Sequence, residues 1–186
     1  MTLGLFARPG TSRFSVARRI SAFCLLILFV LFQMSGSLGM RINISPSLPV
    51  GLYVTTSDTS SRLVEFCPPE PYARFAIVRG YREAGNCPDG AAPLLKPVIA
   101  EPGDVVEVSQ RGLIVNGRVI PNTAAVPTDT KGRPLNSWPL GRYQVGAGTL
   151  WVASSYHPRS FDSRYFGPIA QTTIRDHLRP LMTGGK

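Results

Sequence analysis

Residues 112–120 have the sequence GLIVNGRVI, two apolar arms on either side of Asn116-Gly117. Asn-Gly is the pair most favoured at the centre of a two-residue β-hairpin loop, because both central positions of that turn need a positive φ. Short apolar arms on either side of such a pair are typical of two adjacent strands. The segment therefore predicts a β-hairpin over residues 112–120.

The sequence around this hairpin continues as short apolar runs separated by turn signals. The chain contains 18 Gly and 17 Pro, and only 17% of its residues are charged, a composition that favours short strands and turns over helices. We predict further strands at residues 51–55, 63–66, 105–108, 143–145 and 150–153, a loop at residues 122–140 and a short helical turn at residues 176–181. The predicted fold class is mostly β, with packed sheets.

The first forty residues differ from the rest of the chain. Residues 1–19 contain four arginines and no acid. Residues 20–40 carry no charge, and this uncharged segment is long enough to cross a bilayer core of about 30 Å. Positive flanks stay cytoplasmic, so we predict a cytoplasmic segment (1–19), a single transmembrane helix in the inner membrane (20–40) and a periplasmic domain (41–186). A cleavable signal peptide is the alternative, because Ser35, Gly36 and Ser37 are small.

The net charge of +9 owes much to these N-terminal arginines. Beyond residue 40, basic and acidic side chains are interspersed without runs. No basic patch with interleaved aromatic residues follows, so we expect no nucleic-acid partner.

Two of the three cysteines, Cys67 and Cys87, lie in a Pro/Gly-rich insertion at residues 67–90. In an oxidising compartment such a pair is more often a disulfide than a metal site. Zinc would require further Cys or His ligands, and the chain has only two histidines, His157 and His177. We predict a Cys67–Cys87 disulfide and no metal site.

Ser47 and Lys96 are the first candidates for nucleophilic catalysis. Lys96 lies in LLKPVIA, the most apolar stretch after residue 40; burial lowers the pKa of a lysine amine, and a neutral amine can act as a general base. Ser47 lies between Pro46 and Pro49, which restrict the backbone and can hold a hydroxyl in position for attack. The alternative for Lys96 is a surface lysine whose apolar stem lies along a strand edge while its amine reaches solvent. The alternative for Ser47 is a proline-rich segment with no catalytic role, where the chain leaves the membrane.

A third motif, SFDSRYFGP at residues 160–168, contains an acid and an arginine two residues apart. Asp162 and Arg164 can pair on one face of an extended strand, and we predict a structural ion pair. A Ser-His-Asp triad using His157 is the alternative, although neither histidine lies in a stretch with other catalytic features.

In type and order these motifs resemble those of signal peptidase I: Ser-x-Pro after an apolar segment, an apolar Lys followed by Pro-Gly-Asp, and Ser-x-Asp-Ser-Arg near the end. The details are most similar to its conjugative-transfer branch, the TraF peptidases. The matching features are Asn43-x-Ser45-x-Ser47-x-Pro49-x-Gly-Leu-Tyr, the cysteines within CPP…RGY…CP, LLKPV and SFDSRYFGP. The resemblance implies signal-peptidase-like packed antiparallel sheets.

The resemblance also implies a role for each matching residue. Ser47 corresponds to the nucleophile and Lys96 to its general base. The Ser45 hydroxyl and the Ser47 backbone N–H correspond to the oxyanion hole, which stabilises developing negative charge. Ser160 corresponds to the serine that orients the lysine amine. The remaining supporting residues are an ion pair, Asp162 and Arg164.

Three departures from the signal peptidase I pattern weaken assignment to the general secretory enzyme. Pro97 and Ala100 stand where that family has Arg and Gly, and the Gly-Asp-Asn start of the last motif is absent. None of them affects the Ser47–Lys96 pair.

The function implied is a membrane-anchored Ser/Lys endopeptidase without a cofactor. Its expected partner is a pre-protein with small residues before the cut, a propilin of a conjugation system. Either water or a pilin amine would resolve the acyl-enzyme, the amine giving a cyclic product. The alternatives are the general secretory signal peptidase and a non-catalytic periplasmic scaffold of the transfer apparatus, which an exposed Lys96 far from Ser47 would favour.

Overall fold

The computed structural model describes residues 13–37 and 39–184. The chain divides into two compact units, Met1–Met40 and Arg41–Lys186. The helical elements are α1 (Arg13–Ser37), α2 (Tyr72–Val78), α3 (Ser163–Phe166) and a 3-10 turn at Gln171–Thr173. The strands are β1 (Met40–Asn43), β2 (Gly51–Thr56), β3 (Leu63–Phe66), β4 (Leu94–Ala100), β5 (Val105–Ser109), β6 (Gly112–Val115), β7 (Arg118–Val119), β8 (Gly141–Gln144), β9 (Thr149–Val152), β10 (Ile169–Ala170) and β11 (Ile174–Thr183).

Helix α1 makes up most of the described part of the first unit and includes most of the predicted membrane segment, residues 20–40. No proline interrupts this segment, and good helix formers (Ala, Leu, Arg, Gln and Met) are spread along it. Within residues 13–37 and 39–184, no helix is both long enough and apolar enough to cross a membrane. Residues 1–12 of the predicted cytoplasmic segment lie outside the described residues.

The second unit contains two sheets. The larger has the strand order β1-β2-β11-β3-β4-β9-β10, and the smaller has the order β7-β6-β5-β8. The strand pairs from β2 through to β10 and those of the smaller sheet are antiparallel. The mostly β fold class is confirmed.

The hairpin at residues 112–120 is present as β6 and β7. Asn116 and Gly117 have φ angles of 48° and 80°, the left-handed values that a two-residue turn of this type requires. The Asn116 side chain also accepts a hydrogen bond from the Val105 N–H at 2.8 Å, which ties the turn to β5. The other predicted strands are confirmed within two residues at each end.

The helical turn predicted at residues 176–181 is wrong, because these residues belong to β11. This strand lies between β2 and β3 and forms a ladder with each of them. The ladder register shifts between Pro180 and Met182, where proline supplies no N–H to the ladder. Pairing on both sides decided the conformation, and the local sequence pattern did not contain that information.

The predicted disulfide is confirmed. Cys67 and Cys87 are bridged, with their Cα atoms 5.8 Å apart. The insertion at residues 67–90 is more ordered than a loop, since it contains α2. Two hydrogen bonds join the insertion to the 122–140 loop: the Tyr81 hydroxyl donates to Asp129 at 2.7 Å, and Arg133 Nη2 donates to the Arg79 carbonyl oxygen at 2.8 Å. These contacts hold the insertion against that loop.

Strands β4 and β9 pair with each other in the larger sheet and contribute to both hydrophobic cores of the second unit. Successive residues of a strand point to opposite faces, so Val152 packs in one core and Trp151 in the other. Both side chains are almost fully buried. On β4, Val98 packs in the first core and Ala100 in the second, so both cores hold the strand that carries Lys96.

Candidate active site

Ser47 lies in the loop between β1 and β2, and the buried side chain of Asn43 holds that loop. Asn43 Nδ2 donates to the carbonyl oxygens of Ser45, Leu48 and Pro49 at 2.9, 3.2 and 3.1 Å. Asn43 Oδ1 accepts the Ser45 N–H at 3.2 Å. One amide side chain thereby fixes the backbone on both sides of Ser47.

Lys96 lies on β4, opposite Val64 of β3 in the ladder, and is only 5% exposed. Burial lowers the pKa of the Lys96 amine from 10.5 to about 8, because a buried ammonium loses hydration. The Asp162 carboxylate opposes this effect and the Arg164 guanidinium adds to it. Near neutral pH the amine is therefore neutral far more often than an exposed lysine.

The structure brings Ser47 and Lys96 together. Lys96 Nζ donates a hydrogen bond to Ser47 Oγ at 2.7 Å, within the range expected between a general base and its nucleophile. Ser47 is 6% exposed, so the contact is shielded from water. When the amine is neutral, the same short contact allows the Ser47 hydroxyl to donate to Nζ.

Ser45 lies beside this pair. Its Oγ is 3.0 Å from Ser47 Oγ and accepts the Ser47 N–H at 3.3 Å. The two donors predicted for the oxyanion hole are therefore adjacent to the predicted nucleophile. Ser45 itself is exposed, so its hydroxyl is accessible from solvent.

These side chains open onto a cavity of about 510 Å³, a size typical of ligand pockets. One wall comes from β1 and the Ser47 loop, and another from the end of the insertion and the start of β4. The 122–140 loop and residues 157–161 complete it. Apolar side chains cover much of the surface, among them Leu94, Leu95, Val126, Leu135 and Phe161.

The Asp162–Arg164 ion pair is present and buried. Arg164 Nε donates to Asp162 Oδ1 at 2.8 Å and Arg164 Nη2 to Oδ2 at 3.0 Å, with both side chains at most 1% exposed. The prediction that the pair lies on an extended strand is wrong. Asp162 caps the N-terminus of α3 by accepting the Arg164 N–H at 3.3 Å, so a helical turn brings the two side chains together.

Ser160 lines the same cavity and is 3% exposed. Its Oγ has no hydrogen-bond partner among residues 13–37 and 39–184, so the bond to Lys96 that the resemblance implies is not formed there, and the orienting role of Ser160 stays a prediction. His157 also lines the cavity. Its Nδ1 accepts the N–H of Arg159 at 3.1 Å, and the described contacts include no bond from it to Ser47.

Sequence reasoning missed Ser154 and gave no role to Asn43. Ser154 follows β9 and donates its hydroxyl hydrogen bond to the Ser47 carbonyl oxygen. A serine just beyond a strand carries no recognisable pattern, so this contact could not have been found. The role of Asn43 could have been predicted, because an Asn two residues before Ser45 is a signal for an Asx turn. In such a turn the Asn side chain forms a hydrogen bond with the backbone two residues further on.

In the described part of the chain, no group of three or more His, Cys, Asp or Glu side chains is arranged to hold a metal ion.

Comparison with known proteins identifies the family of the chain. Residues 13–181 match the family model described as signal peptidase, peptidase S26. The chain belongs to this signal peptidase family. The relatives of this chain include a plasmid transfer protein TraF from Escherichia coli. It is 38% identical over 148 residues, which cover 78% of this chain and 83% of that protein.

Two further relatives carry similar names. A conjugal transfer protein TraF from Agrobacterium fabrum is 37% identical over 150 residues, covering 78% of this chain and 83% of its own length. A probable conjugal transfer protein TraF from Sinorhizobium fredii is 40% identical over 150 residues, covering 78% of each chain. The resemblance to TraF peptidases inferred from the motifs is confirmed.

Among solved structures, a signal peptidase I from Enterococcus faecalis aligns with 66% of this chain and 98% of its own. The sequence identity is 20% and the TM-score is 0.36, a similarity too low to support an inference about function.

Proposed function

We propose that this chain is a Ser/Lys endopeptidase that removes signal or leader sequences from exported proteins. The observation that carries the proposal is the 2.7 Å contact between Lys96 Nζ and Ser47 Oγ. Burial lowers the pKa of the Lys96 amine to about 8, which supports a neutral amine as general base. Membership of the signal peptidase family supports the same class of reaction.

In the proposed acylation step, the neutral Lys96 amine accepts the Ser47 proton as Ser47 Oγ attacks the carbonyl carbon that follows a small residue. The negative charge that develops on the carbonyl oxygen is stabilised by the Ser45 hydroxyl and the Ser47 N–H. Their mutual contact of 3.3 Å is long, so exchanging it for a bond to an oxyanion costs little. Lys96 Nζ then donates its proton to the leaving amine, and the C–N bond breaks.

The acyl-enzyme is an ester between Ser47 Oγ and the leader. In the deacylation step Lys96 Nζ accepts a proton from the incoming nucleophile, the C–O bond to Ser47 breaks, and Nζ returns the proton to Ser47 Oγ. Water as nucleophile releases a free leader carboxylate. A cyclic product requires a different acyl group: the pilin's own carbonyl would be esterified to Ser47 Oγ after the segment downstream of the cut leaves as the amine. The N-terminal amine of the same pilin would then form the new peptide bond as the C–O bond to Ser47 breaks. Both outcomes use the same residues.

The proposed substrate is a propilin of a conjugation apparatus, cut at the outer face of the inner membrane. The names of the relatives, plasmid and conjugal transfer proteins, support this context. Attachment to the membrane through residues 20–40, with residues 41–186 in the periplasm, is part of the proposal. It rests on the arginines of residues 1–19 and the uncharged segment after them.

The alternative of a non-catalytic scaffold is not favoured by any observation at the site. An exposed Lys96 far from Ser47 would have supported it, but Lys96 is 5% exposed and bonded to Ser47. The alternative of a general secretory signal peptidase differs in its range of substrates. Comparing mature N-termini of exported proteins with and without active enzyme separates the two, since a propilin enzyme changes one or a few of them.

The test of the mechanism is cleavage of a pre-protein with small residues before the cut, by full-length wild-type and variant enzymes. Lys96→Arg keeps the charge, but a guanidinium cannot accept a proton at working pH. We expect Lys96→Arg to lose as much activity as Ser47→Ala, because two residues that act as a unit show non-additive losses. Lys131→Arg, the same exchange in an exposed loop, is the control and should keep full activity.

Circular dichroism of all variants establishes that they are folded. Near-normal turnover in folded Lys96→Arg would overturn the proposal of lysine as the base, and near-normal turnover in Ser47→Ala would overturn the proposed function itself.

A further inference from the structure

Ser154 is fully buried, and each of its polar groups is bonded to a residue of the site or of the ion pair behind it. Its N–H donates to Asp162 Oδ2 at 3.0 Å, and its carbonyl oxygen accepts from Arg164 Nη2 at 2.9 Å. Its hydroxyl donates to the carbonyl oxygen of Ser47. The ion pair therefore holds the backbone of Ser154, and the side chain of Ser154 holds the backbone of Ser47.

The direction of the Ser154 hydroxyl is fixed by a further contact. The Tyr156 N–H donates to Ser154 Oγ at 3.1 Å and occupies a lone pair of that oxygen. A serine hydroxyl has one proton to donate, and here it points to the Ser47 carbonyl. The bond joins residues 107 positions apart in the chain, so it attaches the Ser47 loop to the end of β9.

This bond restrains a part of the loop that Asn43 does not reach. Asn43 binds the carbonyl oxygens of Ser45, Leu48 and Pro49, but not that of Ser47. The orientation of the Ser47 carbonyl sets the ψ angle of Ser47. Together with the Asn43 bonds on either side of Ser47, this restraint on ψ limits the direction of the Cα–Cβ bond, from which Oγ reaches a substrate carbonyl.

The charges of the ion pair affect Lys96 in opposite directions. The Asp162 carboxylate raises the pKa of the Lys96 amine, and the Arg164 guanidinium lowers it. Among the described hydrogen bonds, none joins either side chain directly to Lys96 or Ser47. Hydrogen bonds connect the pair to Ser47 through Ser154.

We infer that Ser154 is a positioning residue for the nucleophile, through which the buried Asp162–Arg164 pair holds Ser47 in line for attack. The inference rests on the proposed function, because it needs Ser47 to be the nucleophile. Ser154 does not line the cavity, so its loss should leave substrate binding intact. A displacement of the nucleophile by about 1 Å is enough to lower turnover roughly 100-fold.

The test compares Ser154→Ala with Ser163→Ala in the full-length enzyme. Ser163 is a matched control, because it is also fully buried and its Oγ accepts one backbone N–H, that of Val152 at 2.9 Å. None of the described hydrogen bonds joins the Ser163 side chain to Ser47. We expect Ser154→Ala to lower kcat roughly 10- to 100-fold with KM within about twofold, and Ser163→Ala to stay within about twofold of wild type in both. The midpoint of the pH–rate profile should be the same in all three, since Lys96 is untouched.

Ser154→Thr retains the hydroxyl and should recover at least part of the lost kcat. All assays are run well below the melting temperature of the least stable variant, so that each enzyme is folded when kcat is measured. An equal loss of kcat in Ser163→Ala, or a rise in KM alone in Ser154→Ala, would overturn the inference. Full activity in Ser154→Ala beside an inactive Ser47→Ala would overturn it while leaving the proposed function standing, whereas activity in Ser47→Ala would remove the basis of both.

Discussion

Replacing Lys96 with methionine should abolish cleavage and stabilise the fold. Burial lowers the pKa of the Lys96 amine from 10.5 to about 8, so holding it charged in the folded protein at pH 7 costs about 3 kcal/mol relative to water. Methionine is of similar length, is apolar and bears no such cost. Ser47 Oγ keeps a hydrogen-bond partner in Ser45 Oγ at 3.0 Å, so the substitution does not leave the Ser47 hydroxyl unpaired.

The difference in stability should depend on pH with a defined sign. The folded protein protonates Lys96 only below about pH 8, and the unfolded chain below about pH 10.5. Between these values the unfolded chain binds more protons, so the stability of the wild type rises with pH through this window. Lys96 destabilises the folded state by its full amount below about pH 8 and not at all above about pH 10.5. The Lys96→Met protein lacks this destabilisation at every pH.

The assay is guanidinium unfolding followed by tryptophan fluorescence, since Trp138 and Trp151 both lie in the Arg41–Lys186 unit. We expect Lys96→Met to exceed the wild type in free energy of unfolding by about 3 kcal/mol at pH 7 and by roughly half of that at pH 9.5. Lys131→Met in the exposed loop is the control, and it should change little at either pH. A less stable Lys96→Met protein, or a difference that does not shrink with pH, would refute the reasoning.

Three further predictions follow from the site and the insertion. The kcat/KM of the wild type should rise with pH and level off above a midpoint near 8, the pKa of the Lys96 amine; a profile that falls through this range would exclude a neutral amine as base. Ser45→Ala should lower turnover roughly 10²- to 10³-fold, less than Ser47→Ala, because the Ser47 N–H remains as a donor; equal losses in the two variants would contradict this. Replacing Cys67 and Cys87 by serine should lower the free energy of unfolding by about 3 kcal/mol, and an unchanged denaturation midpoint would show that the bridge does not stabilise the folded state.

Much of the fold was accessible from the sequence because its signals are local. The Asn116-Gly117 turn, the short apolar runs and the Cys67–Cys87 pair each carry their information within a few residues. Strand β11 was missed because it depends on two ladders with distant strands, which no local pattern records. The helix in the insertion was missed for a similar reason, since its buried residues, Ala73 and Ala76, are few and small.

The candidate site divides in the same way. Ser47 and Lys96 could be nominated from local chemistry, a hydroxyl between prolines and a lysine among apolar residues. Their order in the chain, together with the other motifs, supplied the pairing through a family resemblance. The connection from Arg164 through Ser154 to Ser47 was beyond reach, because it depends on backbone groups that every residue carries. Side-chain types can be recognised in a sequence, whereas backbone contacts require the fold.

The most direct measurement of Ser47 as nucleophile is the site of acylation during turnover. Enzyme and pre-protein are mixed, quenched in acid within one turnover and digested, and the peptide that bears the leader fragment is identified by mass spectrometry. We predict an ester-linked leader on the peptide containing Ser47, no adduct in Ser47→Ala, and none in folded Lys96→Arg. An adduct on another residue, or cleavage by Ser47→Ala at the wild-type rate, would contradict the Ser47–Lys96 mechanism.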